Sequence, residues 1–454
     1  MKKSNGDDVA SAGALRREEA GPKATPPGIR ARAGGFADMF ERSTGGALTP
    51  LNVVIDRVEG PVRAVIEGKP TLMFGTNSYL GLNFEASCVE AAAAALRDFG
   101  AGSTASRVAS GNQRLHVELE RAVADLYGRS DAIVFSTGFM ANLGTIGALV
   151  REGDAICLDA HCHASIFDAC RLSGAKVATF RHNDAADLAR TMSESGVSPS
   201  RILVVAEGLY SVLGDVADLR AITAVTGGSG AVLLVDEAHS LGLFGDRSRG
   251  VAEEQGVEDL VDVIVGTFSK SVGVVGGYCV TGDKAFRSLR FAARAYLYTA
   301  SLPPPVVAAA RRGIEVIATG RERRDKAWLN AHRIHRGLSG LGMTPSAPPG
   351  PVGAIRMPGI KAGLEMWRTL LQGGVYVNML IPPATPGGEV VLRYSVSAAH
   401  EPDDIDFALG VFRDAARDCG IGGNRGPSSP RDGGIIVSSV TLQPPKHARS
   451  SVSD

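Results

Sequence analysis

Residues 231–240 read AVLLVDEAHS, and residues 262–270 read DVIVGTFSK. Each opens on a short apolar run with little polar alternation. Such a run suits a strand buried on both faces. Each run also ends on side chains that carry chemistry: Asp236 and His239 in the first, Thr267, Ser269 and Lys270 in the second. Runs of the same kind occur at 132–136 (AIVFS), 155–159 (AICLD), 176–180 (KVATF) and 202–206 (ILVVA). Helix-like stretches lie between and around them, at 85–99, 112–127, 139–150, 164–173, 216–226 and 283–295. In the second, Leu115, Leu119, Val123 and Leu126 recur at helical spacing, and Asn112 is the expected cap. Strands alternating with helices predict an α/β architecture with a mostly parallel sheet covered by helices. Ligands of such sheets gather at the carboxyl ends of the strands.

The pattern changes after SLPPP (301–305). Long helical stretches at 306–319 and 323–341 lead into strands near 352–357, 375–379 and 389–397 and a last helix at 402–418. This predicts a smaller α+β domain, to which segment 52–74 adds strands. The expected organisation is a disordered tail over 1–38, a segment over 39–85 packing on the small domain, a large domain over 86–298, the small domain over 299–420 and a disordered tail over 421–454. Both tails are rich in small and polar residues without sustained periodicity. Within the second tail, IIVSSVTL is the only strand-like run.

The chain has 454 residues, 44 % hydrophobic and 21 % charged, which is ample for a large core. Lys+Arg and Asp+Glu balance at 48 each, so the whole molecule has no electrostatic drive toward nucleic acid or anionic membrane. Nothing approaches the roughly 18 apolar residues of a membrane span, and the start lacks the apolar core of a secretory signal. Six cysteines in so long a chain do not make a disulfide framework, which predicts free thiols and a cytoplasmic location. His161, Cys162, Cys157 and Cys170 match no zinc-ligand spacing, so no metal is expected.

Taken together, the strand ends offer one ligand an acid (Asp236), an ammonium (Lys270), an imidazole (His163) and a helix start after AIVFS (Gly138, Phe139). Lys270 stands in a nearly uncharged, Gly-rich setting, TFSKSVGVVGG. Burial there lowers an ammonium's pKa, as a nucleophilic amine requires.

NSYLGL (77–82), STGFMAN (136–142), HASIFDA (163–169), EGLYSVLGD (207–215), VDEAHSLGLFG (235–245) and GTFSKSVGVVGG (266–277) follow one another in order. YTASLPP (298–304), YVNMLIPPATP (376–386) and LRYSVSAAH (392–400) continue the series. The set resembles the α-oxoamine synthases, a branch of the fold-type I pyridoxal 5'-phosphate (PLP) enzymes, and within it the bacterial serine palmitoyltransferases. The resemblance implies a large domain with a mostly parallel seven-stranded sheet sandwiched by helices, plus a smaller α+β C-terminal domain. It implies that Lys270 holds PLP as a Schiff base and shuttles the Cα proton, while Asp236 pairs with the pyridinium nitrogen. It places His163 on the ring face and His239 and Ser211 at the ring or phenolic oxygen. Gly138 and Phe139 offer backbone N–H groups to the phosphate, and Thr267 and Ser269 add hydroxyls. Thr299 and Ala300 reach the phosphate of a neighbouring subunit, which implies a homodimer with interfacial sites. Asn77, Ser78 and Arg393 line the amino-acid position, with Arg393 clamping the carboxylate.

The implied reaction is decarboxylative condensation of an amino acid, foremost L-serine, with a long-chain acyl-CoA to 3-oxosphinganine. Glycine or alanine, or an acyl-carrier-protein thioester, is the alternative within the branch. A non-catalytic partner subunit is the alternative from another class, and the joint presence of Lys270, Asp236, His163 and His239 speaks against it. Ser78, Phe139 and the pair His161-Cys162 depart from common family residues and bear on substrate identity rather than on PLP chemistry. Arg107 reads equally as a substrate contact and as a surface ion pair.

Overall fold

The computed structural model describes residues 28–31, 50, 51 and 53–421. The expectations for the two tails, the IIVSSVTL strand included, lie outside the described residues apart from 28–31 and Ile421.

Three short strands, β1 (Arg57–Gly60), β2 (Arg63–Ile66) and β3 (Lys69–Met73), form an antiparallel meander. Seven more build the main sheet: β4 (Asp131–Phe135), β5 (Ala155–Asp159), β6 (Lys176–Phe180), β7 (Ile202–Glu207), β8 (Val232–Asp236), β9 (Val263–Thr267) and β10 (Gly277–Thr281). Their order is β4-β10-β9-β8-β7-β5-β6. Strands β5 to β9 are mutually parallel, and β10 runs antiparallel to both β4 and β9. The sheet is therefore mostly parallel and seven-stranded, as the resemblance implies. Toward the C-terminus, β11 (Val352–Met357), β12 (Val375–Tyr376), β13 (Asn378–Leu380) and β14 (Val390–Ser395) follow. β12 joins β3 in parallel, and β11 and β13 flank β14.

The apolar runs form strands because both of their faces are covered. Successive side chains of a strand point to opposite faces. Ala155 and Cys157 of β5, Val204 of β7 and Val235 of β8 enter one core, with helices Arg114–Tyr127 and Pro304–Thr319. Ile156 and Leu158, Val205 and Leu234 enter the opposite one, with helices Gly138–Leu149 and Ala164–Ser173. A third core joins β2 and β3 to helices Arg321–Gly340, Ile360–Gln372 and Pro402–Asp418, around the fully buried Trp367.

Some local expectations are corrected. Asn112 does not cap the helix that follows it. Gln113 is the N-cap, in a capping box with His116, and Asn112 Oδ1 instead accepts from Arg107 Nε at 3.0 Å. The expected helix at 283–295 is three pieces, Lys284–Ser288, Leu289–Ala292 and Arg294–Leu297. Ala293, in an extended conformation, separates the last two. The sequence reading missed β10 and the helix Ala185–Glu194. β10 follows a glycine-rich stretch and itself begins at Gly277, where a Cβ would lie 2.4 Å from the Thr137 carbonyl oxygen.

Candidate active site

Strands β7, β8 and β9 end together, and the start of helix Gly138–Leu149 faces their ends across a cavity of 230 Å³. Asp236 is the last residue of β8 and is buried. Its Oδ2 accepts from Asn142 Nδ2 at 2.7 Å and its Oδ1 from Ala238 N at 2.9 Å. Asn142 sits one turn inside the facing helix, and its amide also donates to Ser165 Oγ at 3.0 Å. Ser165 Oγ in turn lies 2.8 Å from His163 Nδ1. One chain of polar contacts thus runs from the acid to the imidazole.

Lys270 follows β9 by three residues and is half-buried in the cavity wall. Loss of water there outweighs the attraction of the Asp236 and Glu207 carboxylates and lowers its ammonium to about 8. Burial also lowers His163, against the pull of Asp236. His239 is held well below the ordinary imidazole value, first by burial and then by Lys270 and Arg393. Its Nδ1 meets the Tyr79 hydroxyl at 2.7 Å. Both histidines are therefore neutral at pH 7, which leaves their rings free to stack or to exchange a single hydrogen bond.

At the helix end of the cavity, Thr137 is the N-cap and accepts from Met140 N at 3.1 Å. The N–H groups of the first helical turn, Gly138 and Phe139 among them, have no intrahelical acceptor and suit an anion. A Cβ at position 138 would stand 2.8 Å from Thr267 Cβ, so only glycine lets the two segments approach. Thr267 Oγ1 donates to Gly276 O at 2.7 Å and lies 2.9 Å from Ser269 Oγ, which is exposed toward the same space.

Arg393, on β14, is buried beside the cavity. Its Nη2 donates to Asn77 Oδ1 at 3.0 Å, and its Nε donates to the Ser211 carbonyl oxygen at 2.6 Å. Asn77 thus orients the guanidinium. The Ser78 hydroxyl is engaged elsewhere, donating to Asn83 Oδ1 at 2.6 Å. The structure does not bring every predicted residue to the cavity. Ser211 meets Arg393 through its carbonyl, and its side chain is outside the cavity wall. Thr299 and Ala300 line a separate recess with Arg107 and Tyr296. Arg107 itself is buried and pairs with Glu120 at 2.9 Å.

Sequence reasoning passed over Asn142, Tyr79 and Glu207. Each lies inside a motif already singled out, STGFMAN, NSYLGL and EGLYSVLGD. Glu207 ends β7 in register with Asp236, lines the cavity and accepts from His163 N. Burial beside Asp236 pushes its carboxyl well above the usual range.

Glu237, next to Asp236, is wholly buried and accepts from Ser240 Oγ, Val251 N and Ala252 N. Burial raises its carboxyl from 4.5 to about 7, against those three donors. A raised acid stabilises the fold fully below the unfolded value, and that contribution is lost as pH rises through the folded one. Stability to urea should therefore fall between about pH 4.5 and 7, by on the order of 3 kcal/mol from this group. Glu237→Gln should flatten that slope. An identical slope in the variant contradicts the assignment.

An acid facing a helix start, with a desolvated lysine and a neutral imidazole between them, fits a flat aromatic aldehyde carrying a ring nitrogen at one end and a phosphate at the other. The family model described as aminotransferase class I and II matches residues 69–412. Serine palmitoyltransferase of Caulobacter vibrioides is 44 % identical over 386 residues, covering 85 % of this chain and 96 % of that one. The chain belongs to the α-oxoamine synthases. Serine palmitoyltransferase of Sphingomonas paucimobilis is likewise 44 % identical, over 83 % of this chain and 90 % of its own. 8-Amino-7-oxononanoate synthase of Symbiobacterium thermophilum is 36 % identical over 79 % and 92 %. A solved structure of the Sphingomonas paucimobilis serine palmitoyltransferase, with a bound PLP–myriocin aldimine, matches at a TM-score of 0.84 and 42 % identity, covering 87 % of this chain and all of that one. The protein is accordingly a PLP-dependent acyltransferase. Among the described residues no helix is long and apolar enough to cross a membrane, and all six cysteines are free thiols.

Proposed function

We propose that the protein condenses L-serine with a long-chain acyl-CoA, giving 3-oxosphinganine, CO2 and CoA. The observation that carries the proposal is Lys270 and Asp236 facing one cavity in a chain 44 % identical to serine palmitoyltransferases over most of its length. Bound PLP supplies an aldehyde that condenses with amines and a protonated ring that accepts the electron pair of a carbanion. Asp236 holds the proton on the ring nitrogen, and the Asn142 amide and Ala238 N–H fix its carboxylate for that task. His163, in the cavity wall, would stack on the cofactor ring. The first turn at Gly138 and Phe139, with the Thr267 and Ser269 hydroxyls, receives the phosphate.

Lys270, lowered to about 8, is substantially neutral near pH 8 and takes the Cα proton on Nζ. Arg393, oriented by Asn77, receives the serine carboxylate. His239, neutral and held by Tyr79, lines the cavity and would offer its other ring nitrogen as a hydrogen-bond partner to the cofactor. We also assign a homodimer in the cytoplasm, with Thr299 and Ala300 completing the partner's phosphate site and residues 86–298 forming the large domain.

A spectral titration of the PLP-loaded protein with serine, glycine and alanine, followed by mass analysis of products from several thioesters, tests the substrate. Serine is expected to perturb the visible band at the lowest concentration and to yield the long-chain 3-oxo amine with acyl-CoA. A response to glycine or alanine but not to serine, or turnover only with a carrier-protein thioester, overturns this pairing while leaving the family intact.

A further inference from the structure

Outside the cavity, one cluster of ionisable groups has no part in the chemistry above. His182, just beyond β6, lies between two carboxylates. Its Nδ1 is 2.8 Å from Asp159 Oδ1 and its Nε2 is 2.5 Å from Asp215 Oδ2. The His161 ring stacks on it at 3.9 Å with planes 14° apart, and Tyr210 meets it edge-on at 4.5 Å. Asp159 is fully buried and ends β5. Its two oxygens also accept from His161 N at 2.8 Å and Asn183 N at 2.9 Å. Because both ring nitrogens face carboxylates, both must donate, so the ring carries a proton on each.

The two carboxylates belong to different active-site segments. Asp159 opens the loop 159–163, which ends on His163. Asp215 closes the turn 210–215, in which Tyr210 N donates to Asp215 O at 2.9 Å and Ser211 O receives Arg393. We propose that His182 is a positioning residue for the reaction, an imidazolium strut that holds the His163 loop and the Arg393-seating turn at a fixed separation. Its charge is what lets one ring serve two acidic partners. Burial opposes that charge, but the hydrogen bonds to Asp159 and Asp215 outweigh it and raise the ring to about 9. His161, lowered by burial and by His182 itself, stays neutral on the stacked face.

The inference rests on the roles given above to His163 and Arg393, and the test separates the two. His182→Gln keeps a polar side chain but cannot donate to both acids. Asp215→Asn keeps the shape and removes one charge. Both are loaded with PLP and compared with the wild type by amino-acid KM, by kcat, by the circular dichroism induced in the bound cofactor and by the thermal midpoint of the cofactor-free protein. The expected result for His182→Gln is a KM for serine raised about 10-fold or more, as misplacement at a remote support produces. Its induced dichroism changes, and kcat falls less than KM rises.

In the wild type, KM for serine rises as His182 loses its proton near pH 9. In Asp215→Asn that step moves down by a unit or more, whereas the titration of serine itself does not move. Loss of thermal stability alone, with KM, induced dichroism and the pH step all unchanged, overturns the strut. If His182→Gln does not fold, the displaced pH step in Asp215→Asn decides. Wild-type protein that binds no PLP refutes the functional assignment instead.

Discussion

Lys270→Ala is expected to abolish the absorption band of the Schiff base between protein and cofactor and to lower condensation by about 10⁴-fold. Two losses combine. The covalent bond between Nζ and the cofactor aldehyde cannot form, and no group remains to take the Cα proton. Lys270 and Asp236 line the same cavity, and burial has already lowered the ammonium to about 8. Removing a desolvated amine relieves a cost of folding, so the cofactor-free variant should unfold no earlier than the wild type. Unfolding curves of the two, run beside absorption spectra, separate a chemical defect from a structural one. A variant that keeps the band and more than a tenth of the activity contradicts the role of this lysine.

Asp236→Asn carries the second largest effect. The amide keeps the shape of the carboxylate but only one acceptor oxygen, so it serves one of the two donors, Asn142 Nδ2 or Ala238 N–H. It brings no charge, so the ring nitrogen is no longer held protonated and the ring loses most of its capacity for carbanion electrons. Loss of a preorganised electrostatic partner costs about 10²–10³-fold in rate. The fall should appear equally in condensation and in exchange of the serine α-proton with deuterated solvent, because both pass through proton removal. Exchange at the wild-type rate, with only condensation impaired, places Asp236 elsewhere in the mechanism.

The legible part of the fold was the part set by local pattern. β5, β7, β8 and β9 read as strands because nearly every residue is apolar, and the reason is burial of both faces between two cores. β10 did not read, since it follows a glycine-rich stretch and opens on Gly277, whose approach to Thr137 leaves no room for a side chain. Helix Ala185–Glu194 did not read because only Leu188 and Met192 mark its apolar side. At the site, Asp236, Lys270 and His163 were legible from their places just after apolar runs.

Their supports were not, because these are pairs between distant parts of the chain. Asn142 and Asp236 are 94 residues apart, Tyr79 and His239 are 160 apart, and Asn77 and Arg393 are 316 apart. Spacing along a chain says nothing of such contacts. Only the assembled sheet, and the approach of the end of β14 to the chain just after β3, where Ser395 N donates to Phe74 O at 2.7 Å, create them. The same holds for the His182 bridge, whose two acids lie on either side of it in sequence.

Borohydride reduction of the PLP-loaded protein, followed by digestion and mass spectrometry of the peptides, bears most directly on the chemistry assigned to this cavity. The reduced cofactor is predicted on the peptide containing Lys270, at one adduct per chain, and absent from protein first exposed to excess serine. An adduct on a different lysine, or none in protein saturated with PLP, contradicts the account.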